Sequence, residues 1–458
     1  MATKKLISTD PSTGKIIEEY QKHSPAEVER ILLDASSSQK TWQESGFENR
    51  SELMMKVAEN LRAGVENYSQ IITKEMGKPV KQAKAEIEKC AVVCEYYAKN
   101  AEGFLTNEYI DTEAEDSYVA YQPLGVILAI MPWNFPFWQV FRFAAPSLMA
   151  GNGALLKHAS NVTGCSLAIE DLFRKSGFPA NLFRSLKLGG SEVASVIENR
   201  VIKAVTLTGS VQAGKSVAAK AGEELKKTVM ELGGSDPYII LEDADLDYAV
   251  RICAASRLIN GGQSCIAAKR FIVVKPVLES FEKKFVAEMK DKKMGDPMDE
   301  QNDLGPQASE TLRDDLHRQV LASIGNGAEC LLGAEIPAGE GAWYPPTVLG
   351  RVRPGMPAYE EEIFGPVAAI IEADDEEDAV RIANDSRFGL GAAVFSKNID
   401  RARNIAEKRI DAGSCFVNDL VRSDPRLPFG GIGDSGYGRE LSYFGIREFT
   451  NIKTVYIK

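Results

Sequence analysis

Residues 201–222 read VIKAVTLTGSVQAGKSVAAKAG. The apolar run through Leu207 predicts a buried strand, and the stretch from Val211 predicts a helix, with a glycine turn at Gly209 between them. A helix that starts this way leaves free backbone N–H groups, which suit a phosphate. Only Gly209 and Gly214 fall in the register of a dinucleotide glycine motif. Taken alone, the turn leaves two readings open: a phosphate cradle, or a helix capped by Ser210.

Working outward, the alternation continues on both sides. GVILAIMPW (125–133) is a short buried run ended by Pro132, GALLK (153–157) reads as a strand, and residues 163–177 read as a helix. KTVMELGGSDPYIIL (227–241) is strand-like again. Alternation on this scale predicts an α/β fold with a doubly wound parallel sheet. A second alternating region spans about 235–425, with strands at 270–274, 368–373, 391–396 and 412–418 and helices at 246–259, 276–291, 376–385 and 400–407. The first hundred residues read as helices at 25–44, 49–76 and 79–105, the first opened by Ser24 and Pro25. The tail FTNIKTVYIK reads as an edge strand.

The chain has 458 residues and a formal charge of −11, which argues against a nucleic-acid or anionic-membrane partner. The opening MATKKLISTDPSTGK lacks the apolar stretch of a signal peptide, and no run of about 18 apolar residues occurs. Seven scattered cysteines do not resemble a disulfide framework. The expectation is a reduced cytoplasmic protein.

One of those cysteines stands in INGGQSCIAAKRF (259–271) without a second thiol or a histidine close by, which excludes zinc spacing and a C-x-x-C redox pair. Cys265 is therefore inert filler or a nucleophile working alone. Other stretches favour the nucleophile. In MPWNFPFWQVFR, Asn134 follows a strand end, where its amide would donate to a developing oxyanion. In MELGGS, Glu231 precedes a Gly-Gly turn that would let it swing; EEIFGPV places Glu362 and Phe364 in a strand-edge turn, and LPFGGIGDSG is a Pro/Gly-rich loop.

With PWNFP, LTGS, ELGG, GQSC, EEIFGPV and PFGG...SG in this order, the whole chain resembles the NAD(P)-dependent aldehyde dehydrogenases, and within them the succinate-semialdehyde dehydrogenases. The resemblance implies two Rossmann-like domains, cofactor-binding (1–107 and 123–232) and catalytic (233–425), with a small β extension (108–122 and 440–458) for oligomerisation as a homodimer or homotetramer. It implies Cys265 as nucleophile, Asn134 and the Cys265 N–H as oxyanion donors, and Glu231 as the base that activates the hydrolytic water. Small neighbours (Gly261, Gly262, Ser264 and Ala267) would leave room around the thiol. Gly209 and Ser210 would meet the pyrophosphate, with Gly214 also cofactor-binding; Trp133 would line the cofactor site, Phe364 would pack near the nicotinamide, Glu362 would bind its ribose, and Lys157 would reach the adenosine ribose. Many NAD-preferring members carry glutamate where this chain has Ser160. A carboxylate there repels a 2′-phosphate, so NADP is expected over NAD. His158 reads as a satisfied histidine rather than a catalytic one.

For the substrate, the resemblance gives Arg142 and Ser423 as contacts for a distal carboxylate. A second arginine found in some members is replaced by Ile259, which leaves Arg422 as a substitute. A second cysteine found in some members is replaced by Ala267. Alternatives are glutarate semialdehyde or aliphatic aldehydes as substrates. A CoA-acylating enzyme is disfavoured by Glu231, and a catalytically dead binding protein by the intact Cys265, Glu231 and Asn134.

Overall fold

The computed structural model describes residues 5–458; residues 1–4, part of the opening stretch read for a signal peptide, lie outside the described residues. A hairpin of Lys5–Thr9 and Ile16–Gln21 precedes the helix Pro25–Gln43, whose N-cap Ser24 forms a reciprocal capping box with Glu27. The helix expected over 49–76 is two helices, Phe47–Ala63 and Val65–Met76, broken at Gly64. A Cβ at Gly64 would lie 2.4 Å from the ring of Tyr68, so the break is built into the packing. Val80–Phe104 follows as one long helix.

The strand Ile202–Thr208 lies inside a six-stranded sheet. Its parallel members, ranked by chain order, lie in space as third (Phe183–Ser185), second (Gly153–His158), first (Val126–Met131), fourth (Ile202–Thr208) and fifth (Lys227–Glu231). Gly436–Tyr437 adds an antiparallel edge to the fifth. Both faces are covered: Ile127, Ala129 and Met131 join the core formed with the long helices, while Val126 and Leu128 join Ile31, Leu32 and Leu155 on the other side. Such an order reverses between the first and fourth strands, and a crevice opens there at their carboxyl ends.

A second, seven-stranded sheet holds Pro237–Ile240, Arg270–Val274, Val367–Ala373, Gly391–Phe395 and Ser414–Val417 in parallel with Thr347–Gly350, and Glu329–Leu332 closes its edge antiparallel. A separate three-stranded sheet pairs Thr450–Ile457 with Asp116–Pro123 along eight residues and adds Glu108–Tyr109. Among the described residues no helix is long and apolar enough to cross a membrane. All seven cysteines are unpaired.

Candidate active site

A cavity of about 260 Å³ opens at the reversal point of the first sheet. Pro132, Trp133 and Asn134 line it from the end of the first strand, and Thr208, Gly209 and Ser210 from the end of the fourth. Leu232 and Gly233, Cys265, Glu362 and Phe364 complete the wall together with Gln139 and Leu312. Seven residues singled out in the sequence thus share one cavity: Trp133, Asn134, Gly209, Ser210, Cys265, Glu362 and Phe364.

On the turn after the fourth strand, Ser210 Oγ accepts from Ala213 N at 3.2 Å, so Ser210 caps the helix Val211–Glu223 while its residue also faces the cavity. Above Gly209 the space is open, since a Cβ there would meet only Leu207 at 3.6 Å. Gly214 departs from expectation. Its N–H is already spent on Ser210 O at 2.9 Å, and a Cβ would lie 2.5 Å from Leu232. This glycine serves close packing of the helix on the strand end, not phosphate contact.

Glu362 Oε1 accepts from Gly234 N at 3.0 Å and faces Lys269 Nζ at 3.6 Å. Burial pushes its carboxyl up, against the pull of Lys269. Gly233 is needed here, since a Cβ would sit 2.3 Å from Glu362 Oε2. Trp133 and Phe364 meet edge to face, 5.8 Å between centroids. One strand further out, Lys157 and Ser160 lie at the end of Gly153–His158, outside the cavity that holds Cys265. Among the described residues no carboxylate pairs with Lys157; the nearby Glu192 is bonded to Lys22 at 2.9 Å. The open glycine turn and this cation, which no carboxylate pairs directly, fit a dinucleotide that carries an extra phosphate on its adenosine end. Beside them His158 is buried, its Nε2 facing Pro136 O at 2.9 Å and its Nδ1 accepting from Ala159 N at 2.9 Å. Burial holds it down to about 4, so it is neutral and structural.

Cys265 is half-buried and follows three residues in left-handed backbone: Asn260, Gly261 and Gly262, with φ of 53°, 60° and 77°. The glycines do not clear space for substrate as expected. A Cβ on Gly262 would lie 2.1 Å from Gly365 O, so the loop is pressed onto the turn that carries Glu362 and Phe364. Buried Lys269 ties the same loop from below, donating to Ser264 O, Cys265 O and Ala267 O at 3.0, 2.7 and 3.1 Å. Asn134 Nδ2 donates to Gln263 O at 3.1 Å, and Asn260 Nδ2 donates to Asn134 O at 2.7 Å. The Asn134 amide is thereby fixed beside the thiol loop with one of its hydrogens to spare. Burial pushes the Cys265 thiol up to about 12; Arg142 and Lys269 pull it down, and Glu362 and Glu231 push it further.

Glu231, the last residue of its strand, is buried and its Oε1 has no hydrogen-bond partner. Burial raises its carboxyl well above the usual range, Arg142 and Arg439 opposing and Glu440 reinforcing the rise. The PFGG loop reaches it through Gly430, where a Cβ would fall 2.8 Å from Glu231 Oε1.

The substrate residues are placed differently from expectation. Arg142 is 2% exposed and paired with Glu440; its Nη2 donates to Thr208 Oγ1 at 3.3 Å, and its guanidinium lies 4.5 Å from the Phe429 ring centroid. It sits behind the cavity wall rather than in it. The apolar neighbours Val140, Phe141 and Phe143 point to burial, and the whole helix Trp138–Met149 is buried, so its arginine has a buried partner that the sequence could not name. Arg422 is exposed and bonded to Asp419 at 2.7 Å, so it does not replace the missing arginine. Ser423 is buried and its Oγ accepts from Lys89 Nζ at 2.7 Å.

Several site residues escaped the sequence reading. Gln139 enters the cavity from the helix that follows Asn134, and Leu312 from a helix remote in sequence. Asn260 and Glu440 act through long-range contacts, with Asn134 and Arg142, and Lys269 through the thiol loop just before it. A signal existed for Lys269 alone, a lysine four residues after the thiol at the entry to the fully buried strand Arg270–Val274.

The aldehyde dehydrogenase family profile matches residues 1–455. A probable succinate-semialdehyde dehydrogenase [NADP(+)] of Synechocystis sp. is 46% identical over 452 residues, 99% of each chain. The succinate semialdehyde dehydrogenase [NAD(P)+] Sad of Escherichia coli is 47% identical, covering 98% of this chain and 97% of that one. The crystal structure of succinic semialdehyde dehydrogenase from Streptococcus pyogenes in complex with NADP+ superposes with a TM-score of 0.97 at 37% identity, over 99% of each chain. With a cavity that gathers thiol, amide and glycine turn at the sheet reversal, and with relatives of this similarity along its whole length, the chain belongs to the aldehyde dehydrogenase family.

Proposed function

We propose that the protein oxidises succinate semialdehyde to succinate, with NADP+ the favoured oxidant and NAD+ the weaker one. The observation that carries this reading is the single cavity in which Cys265 and Asn134 face Gly209, Ser210, Glu362 and Phe364. The names of the relatives support the substrate and the cofactor.

The Cys265 thiolate adds to the aldehyde carbon, and the carbonyl oxygen gains the negative charge. Asn134 Nδ2 has a hydrogen free for it, and so has the Cys265 N–H, which has no acceptor among the described residues. Gly209, Ser210, Glu362, Trp133 and Phe364 would hold the dinucleotide, Lys157 and Ser160 its 2′-phosphate. When bound, the nicotinamide supplies the hydride acceptor by which the thiohemiacetal becomes a thioester. Glu231 then takes a proton from water, the hydroxide adds to the thioester carbon, and Cys265 leaves as thiolate. A carboxylate raised by burial is the stronger base for this step. Arg142, with its charge behind Thr208, holds both the thiol and Glu231 below where burial alone would put them.

The same reading divides the chain into a cofactor-binding part (1–107 and 123–232), a catalytic part (233–425) and an oligomerisation sheet (108–122 and 440–458). Exposed Tyr109, Ile452, Tyr456 and Ile457 on the three-stranded sheet support a homo-oligomeric contact there. Seven unpaired cysteines support a reducing, cytoplasmic setting.

The test is kcat/KM for succinate semialdehyde and for butyraldehyde, each with NADP+ and NAD+. The two aldehydes match in length and differ in the carboxylate. The expected result is an advantage of about tenfold or more for the semialdehyde, as a charge-assisted contact provides. Equal values would make this a general aldehyde oxidiser.

A further inference from the structure

One buried cation stands beneath the thiol without lining the cavity. Lys269 is 1% exposed and directly precedes the strand Arg270–Val274. Its Nζ donates to Ser264 O at 3.0 Å, Cys265 O at 2.7 Å and Ala267 O at 3.1 Å, and Glu362 Oε1 stands 3.6 Å away. Three carbonyls take up three hydrogens, the full complement of an ammonium; a neutral amine has only two. Burial pulls its pKa down and the like charge of Arg257 adds to the fall, while Glu362, Asp236 and Cys265 hold it up.

These bonds act on the peptide groups on either side of Cys265. A trans peptide is planar, with its N–H opposed to its C=O. No peptide among the described residues is cis, so Ser264 O belongs to the same rigid unit as the Cys265 N–H and points the other way. With Ser264 O on the ammonium, the Cys265 N–H is turned away from Lys269, and it has no acceptor among the described residues. Ser264 O also accepts from Ala267 N at 3.2 Å, and Cys265 O is backed by Gly234, where a Cβ would lie 2.9 Å from it. Both peptide planes are held. A cation bonded to a carbonyl also draws electrons from the amide and makes its N–H the stronger donor.

Resting on the functional reading above, we propose that Lys269 is a positioning residue of the oxyanion site: it holds the Ser264–Cys265 peptide so that the Cys265 N–H faces the aldehyde oxygen, and it strengthens that N–H as a donor. The charge of Lys269 also favours the thiolate, but that influence reaches every reaction of the thiolate alike. The peptide matters only when a carbonyl oxygen gains charge.

The experiment compares two rates in the wild type, Lys269→Met and Lys269→Gln. One is acylation of Cys265 by p-nitrophenyl acetate without cofactor, read as released p-nitrophenolate, which needs thiolate and oxyanion site. The other is alkylation by iodoacetamide, a displacement at saturated carbon that needs the thiolate alone. Lys269→Met is expected to slow alkylation about tenfold and acylation by at least about tenfold more, part of the hundredfold or so that losing an oxyanion donor costs. An unchanged ratio of the two rates overturns the proposal; if both have fallen together, Lys269 acts on the thiol or the loop only. A wild type that the ester does not acylate overturns it as well. Should Lys269→Met fail to fold, Lys269→Gln, polar but uncharged, is read in the same way: a lowered ratio is expected and an unchanged one overturns the proposal. A wild type that reduces no NADP+ with succinate semialdehyde sinks the functional reading itself, whereas a working wild type whose ratio survives these substitutions sinks this inference alone.

Discussion

Lys78–Glu86 and Arg142–Glu440 are both buried ion pairs packed against the helix Trp138–Met149. The first is finished on every side. Glu86 Oε1 accepts from Phe137 N and Trp138 N, each at 2.9 Å, and Lys78 Nζ lies 3.6 Å from the Phe135 ring centroid. It clamps the PWNFP turn that carries Asn134. The second is not finished: Glu440 Oε1 and Arg142 Nε have no well-aligned hydrogen-bond partner, and the pair stands where its charges act on Glu231 and, through Arg142, on Cys265. A fully satisfied network fixes geometry, whereas a partly satisfied one keeps electrostatic reach over its neighbours.

Four variants break or sharpen that contrast. The largest effect is expected at Glu231, the group the second pair acts on. Glu231→Gln should reduce kcat by roughly a hundredfold to ten-thousandfold while leaving a first-turnover burst of reduced cofactor at 340 nm, since only hydrolysis needs the base. Loss of the burst as well would mean that Glu231 acts earlier.

Glu86→Gln removes a charge from the finished pair and leaves Lys78 buried and uncompensated. Unfolding free energy from urea titration should fall by about 3–5 kcal/mol. The pH dependence of activity should stay where it is; if it moves, the first pair is not purely structural.

Arg142→Met acts on the other pair. It removes the influence that lowers both Cys265 and Glu231, so the thiolate and the carboxylate should each require higher pH. Alkylation of Cys265 by iodoacetamide at fixed neutral pH should slow by about tenfold, the low end of what a neighbouring opposite charge is worth. Unchanged alkylation would show that the pair has no reach to the thiol. In the wild type the same signs make both alkylation and turnover rise with pH across the neutral range.

Ser160→Glu removes neither pair and is the smallest change. It should lower the NADP+ over NAD+ preference by at least about fivefold, the ~1 kcal/mol that two unit charges 4 Å apart exert through water. A shift in the pH profile from this variant would mean that the profile does not report on the ion pairs.

The sequence was most legible where an element's chemistry is local. The strand–turn–helix at 202–223, most of the parallel strands and the final strand at 450–457 fell where apolar runs and glycine turns put them, whereas the strands Phe183–Ser185 and Thr347–Gly350 were not foreseen and the stretch 227–241 divides into strands of two sheets. Seven residues of the cavity were legible because the turns that carry them match, in order, the motifs of the family the chain resembles, Trp133 through that resemblance alone. The break at Gly64 was not, since Tyr68 across the turn decides it. Gly214 was misread because a helix glycine looks the same whether it faces a phosphate or a leucine.

What the sequence by itself determined is the alternation of buried strands and helices, the order of the turns and the lone thiol, all consequences of backbone chemistry and spacing within a few residues. The tertiary structure alone decided which charges answer one another. Arg142 and Glu440 are almost three hundred positions apart, and Lys89 and Ser423 more than three hundred. In a buried setting a charged group is committed by whichever partner the packing brings within reach. That is why Arg142 lies behind the cavity wall, and why Lys89 is bonded to the Ser423 hydroxyl.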